Sequence, residues 1–144
     1  MKFGPVASAD AEGTVLAHSV TAGALRLRKA HRLTAGDIEA LRQAGIDQVV
    51  VARLDDADVS EDDAAARIAA AFQTAGIEVK PASTGRVNLH AGEAGVFRVD
   101  AARVNLLNAL DPAVTLATLA DFSAVEAGRM VATVKIIPFA VPDA

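Results

Sequence analysis

At 144 residues the chain is long enough to bury a core of its own, and with 52% hydrophobic and 22% charged residues it reads as globular rather than disordered. It has no cysteine, which excludes disulfides and thiolate metal sites, and its net charge of −4 argues against bulk nucleic-acid binding, which wants a basic field. No apolar run approaches the roughly 20 residues of a membrane span, and Met1-Lys2-Phe3-Gly4-Pro5 has no signal-peptide core, so a cytoplasmic protein binding neither nucleic acid nor membrane is expected.

Taken in chain order, Thr14 to Val20 (TVLAHSV) reads as a strand opened by Gly13. Residues 25–33 begin with period-2 alternation, Leu25 and Leu27 against Arg26 and Arg28, and a Thr21-Ala22-Gly23 turn makes the two segments a hairpin. Thr34 caps a first helix with Asp37 in the capping-box position, Ile38 and Leu41 form its apolar stripe, and Gly45 stops it. Ile46 to Arg53 is a buried β-branched strand. A second helix starts at Ser60, buries Ala65, Ile68, Ala69 and Phe72, and ends at Gly76. Ile77 to Pro81 is a short strand. Strand, helix and strand over residues 47–81 predict one parallel, right-handed crossover.

The second half is β-rich. Ser83-Thr84-Gly85 is a turn, and Val87–His90 and Val96–Val99 are short strands. Asp100 caps a third helix to about Leu110, with Val104, Leu107 and Leu110 inward, before Asp111-Pro112 breaks it. Val114–Leu119 is a strand, 121–128 a loop, and Met130–Val141 a long apolar strand that Pro138 kinks or marks as an edge. Gly13-Thr14-Val15-Leu16-Ala17 and Gly128-Arg129-Met130-Val131-Ala132 form a short internal echo. The whole predicts one α+β domain, residues 1–144: a mixed sheet with three helices, one strand–helix–strand crossover, an N-terminal hairpin and a β-rich second half.

Chemistry-bearing constellations are few. His18, His31 and His90 sit in no nucleophile motif, and His18 falls in a strand pattern, where a hydrogen-bonded structural role is expected. No phosphate-cradling glycine loop is present. The acidic run Asp55, Asp56, Asp58, Glu61, Asp62 and Asp63 lacks calcium-loop spacing and suits a helix N-terminus instead. Arg26, Arg28, Lys29, His31 and Arg32 form the basic cluster, either an anion site or the solvated face of a hairpin. Arg86 and Asn88 follow a glycine turn whose backbone N–H groups are also available. Asn105 and Asn108 are neighbours on one helix face. Lys135 interrupts an apolar strand, a position that calls for a ligand or for edge-strand protection.

Three stretches, FGPVASADAEGTVLAHSV, LRKAHRLTAGDIEALRQAGIDQVVVARLDDADVSEDDAAARIA and VTLATLADFSAVEAGRMVATVKIIPFAV, resemble bifunctional molybdopterin-binding proteins. The carboxy-terminal half of those proteins is similar to molybdenum-cofactor cytidylyltransferases. GTVLAHSV and LTAGDIEALRQAGIDQVVV also look like parts of molybdopterin molybdotransferases, while VATVKIIPFAV is the most specific piece. In two respects the chain departs from that pattern. The family's pterin-binding and nucleotidyltransferase domains would lie beyond Ala144, and Ala30-His31 stands where a Lys-Gly pair is expected. The resemblance implies a non-catalytic amino-terminal module of a molybdenum-cofactor biosynthesis protein that assists molybdopterin binding or domain assembly. Its partners would be molybdopterin or a precursor, further copies of itself, or another domain of the same polypeptide. A pure interaction or oligomerisation module is the alternative. The ligand candidates are Arg86, Asn88, Asn108 and Lys135, with no catalytic residue and no metal.

Overall fold

Local capping chemistry fixes all three helices in the computed structural model, which describes residues 1–143. Helix α1 (Ala35–Gln43) opens on a complete capping box: the Asp37 N–H donates to Thr34 Oγ1 at 3.3 Å, and the Thr34 N–H returns to Asp37 Oδ2 at 2.8 Å. Helix α2 (Glu61–Ala70) begins at Ser60, whose Oγ accepts from the Asp63 N–H at 3.2 Å. It ends six residues before Gly76, because beyond Ala70 the hydrogen bonds tighten to i→i−3, as from the Phe72 N–H to Ala69 O. Helix α3 (Ala101–Leu110) is capped by Asp100, which accepts from the Arg103 N–H at 3.1 Å. Leu110, expected to face inward, is 76% exposed. Each three-residue step falls short of a full turn, so a stripe begun at Val104 and Leu107 has rotated off the sheet by Leu110.

The described residues form two compact units, Met1–Asp58 with Pro142 and Asp143, and Val59–Val141. The α+β class is as expected. In the first unit, β1 (Lys2–Ala7), β2 (Val15–Leu16) and β5 (Gln48–Arg53) form an antiparallel sheet in the order β1-β5-β2. The expected strand 14–20 is broken at Ala17-His18-Ser19, so His18 is exposed in a bend rather than held in a strand. Strands β3 (Val20–Ala22) and β4 (Leu25–Leu27) make the expected hairpin, with its turn two residues later at Gly23-Ala24. Leu16, Leu33, Leu41, Val49 and Val51 are its buried core.

β6 (Asp58–Ser60) and β13 (Ala140–Pro142), which belong to the second unit except for Asp58 and Pro142, pair as a short ribbon. Strands β7 (Ile77–Val79), β8 (Arg86–Ala91), β10 (Val114–Thr118) and β12 (Met130–Ile136) form a sheet in the order β10-β12-β8-β7. Strand β9 (Gly95–Phe97) pairs with β11 (Ser123–Val125), inside a segment expected to be a loop. The long strand expected over 130–141 breaks at Ile137-Pro138-Phe139, beside the proline. Val87, Leu89, Val134 and Ile136 on one face of the four-stranded sheet bury against Ala64, Ala65 and Ala69 of α2.

The predicted crossover does not form. β5 and β7 lie in different sheets, and every pairing whose register is described is antiparallel, so the sheets are not mixed. β7 pairs instead with β8, its near neighbour in sequence, and a short loop costs less closure entropy than a long one.

The internal echo is a shared turn. Gly13 (φ +75°) and Gly128 (φ +79°) are both left-handed, and each turn is closed by a backbone bond, Thr14 N–H to Ala11 O and Arg129 N–H to Glu126 O, both 3.1 Å. Gly13 and Leu33 in one unit repeat the exchange of Gly128 and Ala91 in the other: Leu33 N–H reaches Thr14 O, and Ala91 N–H reaches Arg129 O, both at 2.8 Å. Of the Ala30-His31 pair, which stands where Lys-Gly is expected, Ala30 has a left-handed backbone at φ +66° and His31, at the expected glycine position, does not.

Asp37 ties the first unit's helix to its preceding loop, since His31 Nε2 lies 2.8 Å from Asp37 Oδ2. The Thr34 hydroxyl, then His31 and the Thr34 N–H, hold the Asp37 carboxyl down at about 2, from an ordinary 3.8. A lowered carboxyl stabilises fully above its ordinary pKa and less as pH falls through that window. Asp37→Asn should therefore lower unfolding free energy by about 1 kcal/mol near neutrality. In urea titrations that difference should shrink between pH 4 and pH 2; a difference constant with pH would contradict the assignment.

Candidate functional site on the outer face of the four-stranded sheet

Strand β8 alternates without exception: Val87, Leu89 and Ala91 are buried, and Arg86, Asn88 and His90 point the other way. On β12 the register sets Lys135 opposite Arg86 and Thr133 opposite Asn88. Residues so paired have Cβ atoms roughly 4.5–5.5 Å apart. Three of the four ligand candidates, Arg86, Asn88 and Lys135, thus share one face. β12 lies between β10 and β8, so edge-strand protection no longer accounts for Lys135.

Asn108 does not join them. Its Nδ2 donates to Leu116 O at 3.0 Å, and its Oδ1 accepts from the Leu116 N–H at 2.7 Å. Leu116 lies on β10, an edge of the sheet, and the amide satisfies backbone groups there much as a neighbouring strand would. Asn105 is exposed on the same helix.

Lys135 Nζ donates to Thr84 O at 2.6 Å and lies 3.6 Å from Glu61 Oε2. The turn it grips, Ser83-Thr84-Gly85-Arg86, has two successive left-handed residues, Thr84 at φ +51° and Gly85 at φ +70°, as a type I′ hairpin turn requires. The turn's Gly85 N–H is not open to a ligand, because it donates to Asp62 Oδ1 at 2.6 Å; Gly85 O accepts from the Ile136 N–H at 2.7 Å. A Cβ on Gly85 would meet Glu61 Oε2 at 2.5 Å, Lys135 Nζ at 2.8 Å and Ile136 O at 2.9 Å.

The acidic run accordingly separates into individual tasks. Asp63 accepts from the Ser60 hydroxyl, Asp62 holds Gly85, Glu61 faces Lys135, and Asp55 and Asp58 lie 3.2 and 2.8 Å from the Met1 amino group. Among the described residues no group of three or more His, Asp or Glu side chains is placed to hold a metal ion. In the basic cluster Arg32 donates to Gly13 O at 2.7 Å and His31 meets Asp37, while Arg26 and Arg28 are exposed. No helix of the described residues is long and apolar enough to cross a membrane.

Two polar groups complete the face. Asn88 Oδ1 accepts from Thr133 Oγ1 at 2.9 Å, which leaves the amide NH2 as donor. His90, two residues further along β8, has an Nδ1 shut off from solvent with no hydrogen-bond partner. Buried polar atoms are rarely left so. Neither Thr133 nor His90 is conspicuous in the sequence; the period-2 spacing of Arg86, Asn88 and His90 points to His90, and Thr133 emerges only from the strand register.

A family model described as a domain of unknown function (DUF8806) matches residues 5–53, which lie within the first unit. No curated protein and no solved structure matches the chain.

Gly85→Ala should destabilise the second unit by at least ~2 kcal/mol, since left-handed strain adds to overlap with a backbone carbonyl that cannot move aside. Gly23→Ala, at φ +59° with open space around it, should cost only about 1 kcal/mol. Equal losses in paired denaturant titrations would show that crowding at Gly85 is unimportant.

Proposed function

We propose that this chain is a cytoplasmic, non-catalytic module that helps to hold molybdopterin, with the outer sheet face around Arg86 and Asn88 as its ligand surface. The observation that carries the reading is the cross-strand pairing of Arg86 with Lys135 beside Asn88. Arg86 offers a planar fork for a phosphate, and the Asn88 NH2 offers a donor for a pterin edge. Lys135, with its ammonium at Thr84 and Glu61, positions the turn from which Arg86 projects. The pathway rests on the three stretches that resemble molybdopterin-binding proteins. Asn108, bonded to Leu116, has no part in this surface.

One observation favours the second reading, an interaction or oligomerisation module. Val96, Leu106, Leu110 and Phe122 of the second unit are each more than 60% exposed.

Titration of the purified chain with molybdopterin under anaerobic conditions, followed by pterin fluorescence, separates the two. Saturable binding that weakens about tenfold or more in Arg86→Met is expected, the size of one lost charge-assisted hydrogen bond. No binding by the unaltered chain, with concentration-dependent self-association in sedimentation, would favour the interaction module.

A further inference from the structure

Helix α3 carries Val104, Leu106, Leu107 and Leu110, yet none of its residues is buried. A short amphipathic helix ordinarily hides its stripe on the sheet beneath. Here Val104 and Leu107 stand over a cleft of about 410 Å³, within the size range of small-molecule sites. Its apolar lining includes Phe72, Leu89, Leu116 and Val131. Leu89 alternates with Asn88 along β8, so the cleft is on the opposite side of the sheet from the face described above.

The lining also carries charge, from Arg98, Asp100 and Arg103. The Arg98 guanidinium lies over the Phe122 ring, 3.9 Å from its centroid, and its Nε donates to Asp121 Oδ1 at 3.2 Å. Two restraints therefore hold the plane of that guanidinium before any ligand arrives. The Val99 and Phe122 N–H groups and Arg98 itself keep the Asp121 carboxyl below its usual range, so it stays ionised. Arg103 Nε lies 3.2 Å from Asp100 Oδ2. Both ion pairs are made through Nε, which leaves the paired Nη donors of each fork for a planar anion.

We propose that this cleft is a binding site for a small organic anion with an apolar body, its carboxylate or phosphate end at Arg98 and Arg103 and its body among Phe72, Leu89, Leu107 and Val131. The apolar body alone would gain from burial in the cleft, but only an anionic end uses both forks. The proposal is independent of the molybdopterin reading, because the two surfaces share no residue.

The test uses the full chain and the fluorescent probe 1-anilinonaphthalene-8-sulfonate, a flat apolar ring system with one anionic group. Saturable binding of one probe per chain is expected, with displacement by octanoate or octyl phosphate and not by octanol or octylamine. Whichever anion displaces better identifies the end group. Arg98→Met should weaken probe binding about tenfold or more, and Leu107→Trp, which fills the cleft, should abolish it. Arg98 is two-thirds exposed, so its replacement should leave the fold intact, checked by far-UV circular dichroism; Arg103→Met provides a second variant. Displacement by octanol as readily as by octanoate, unchanged affinity in both arginine variants, or no saturable binding would overturn the proposal.

Discussion

Around Gly85 the second unit leaves no space for a side chain. The first turn of α2 supplies Glu61 and Asp62, the end of β12 supplies Lys135 and the Ile136 backbone, and all of them close on one left-handed turn. Each contact is modest alone: a net hydrogen bond contributes about 1 kcal/mol, and a partly exposed ion pair about as much. Their importance lies in what they connect. The turn leads directly into β8, so holding Gly85 to α2 fixes where β8 starts and which of its residues face inward. A slip of one residue would send Val87, Leu89 and Ala91 to the outside.

The same constraint has a consequence for the outer face. Because β8 is fixed in register against β12, Arg86 and Asn88 stand beside Lys135 and Thr133 rather than scattered along an edge. Lys135 is then best understood as part of the support for that surface, and Arg86 and Asn88 as the groups able to meet something outside the chain. A lysine between Val134 and Ile136 is costly to leave without partners, and the turn carbonyl and Glu61 supply them.

What could be read in the sequence was local. Thr34, Ser60 and Asp100 announce their helices because an N-cap acts within three residues, and the structure places all three caps there. Strand partners depend on the whole chain, and there the reading fails: β7 joins β8 instead of β5, and β1 goes unseen because Pro5 argues against a strand interior, although an edge strand accommodates it. At the site, Arg86, Asn88 and Lys135 stand out by residue type and by their unusual placement. The role of Asn108 does not, since it exists only because β10 is an edge. Glu61 and Asp62 look like partners of a helix dipole, which their position allows, and nothing in the acidic run shows that Asp62 also holds a glycine 23 residues away or that Glu61 pairs with Lys135. Arg98 and Arg103 left only the Asp100-Arg103 spacing as a signal, and the cleft they line depends on α3 standing off its sheet.

Native-state amide exchange tests the Gly85 assembly most directly, because two of its bonds are made by backbone amides, Gly85 to Asp62 and Ile136 to Gly85. In the unaltered chain both amides should exchange far more slowly than those of a surface turn, through opening of the Gly85 turn and its neighbours. Lys135→Met should reduce their protection by about 1–3 kcal/mol while sparing the Ala91 amide, which donates to Arg129 O. A Gly85 amide that exchanges at the rate of an open loop in the unaltered chain, or one indifferent to Lys135→Met, would contradict the account.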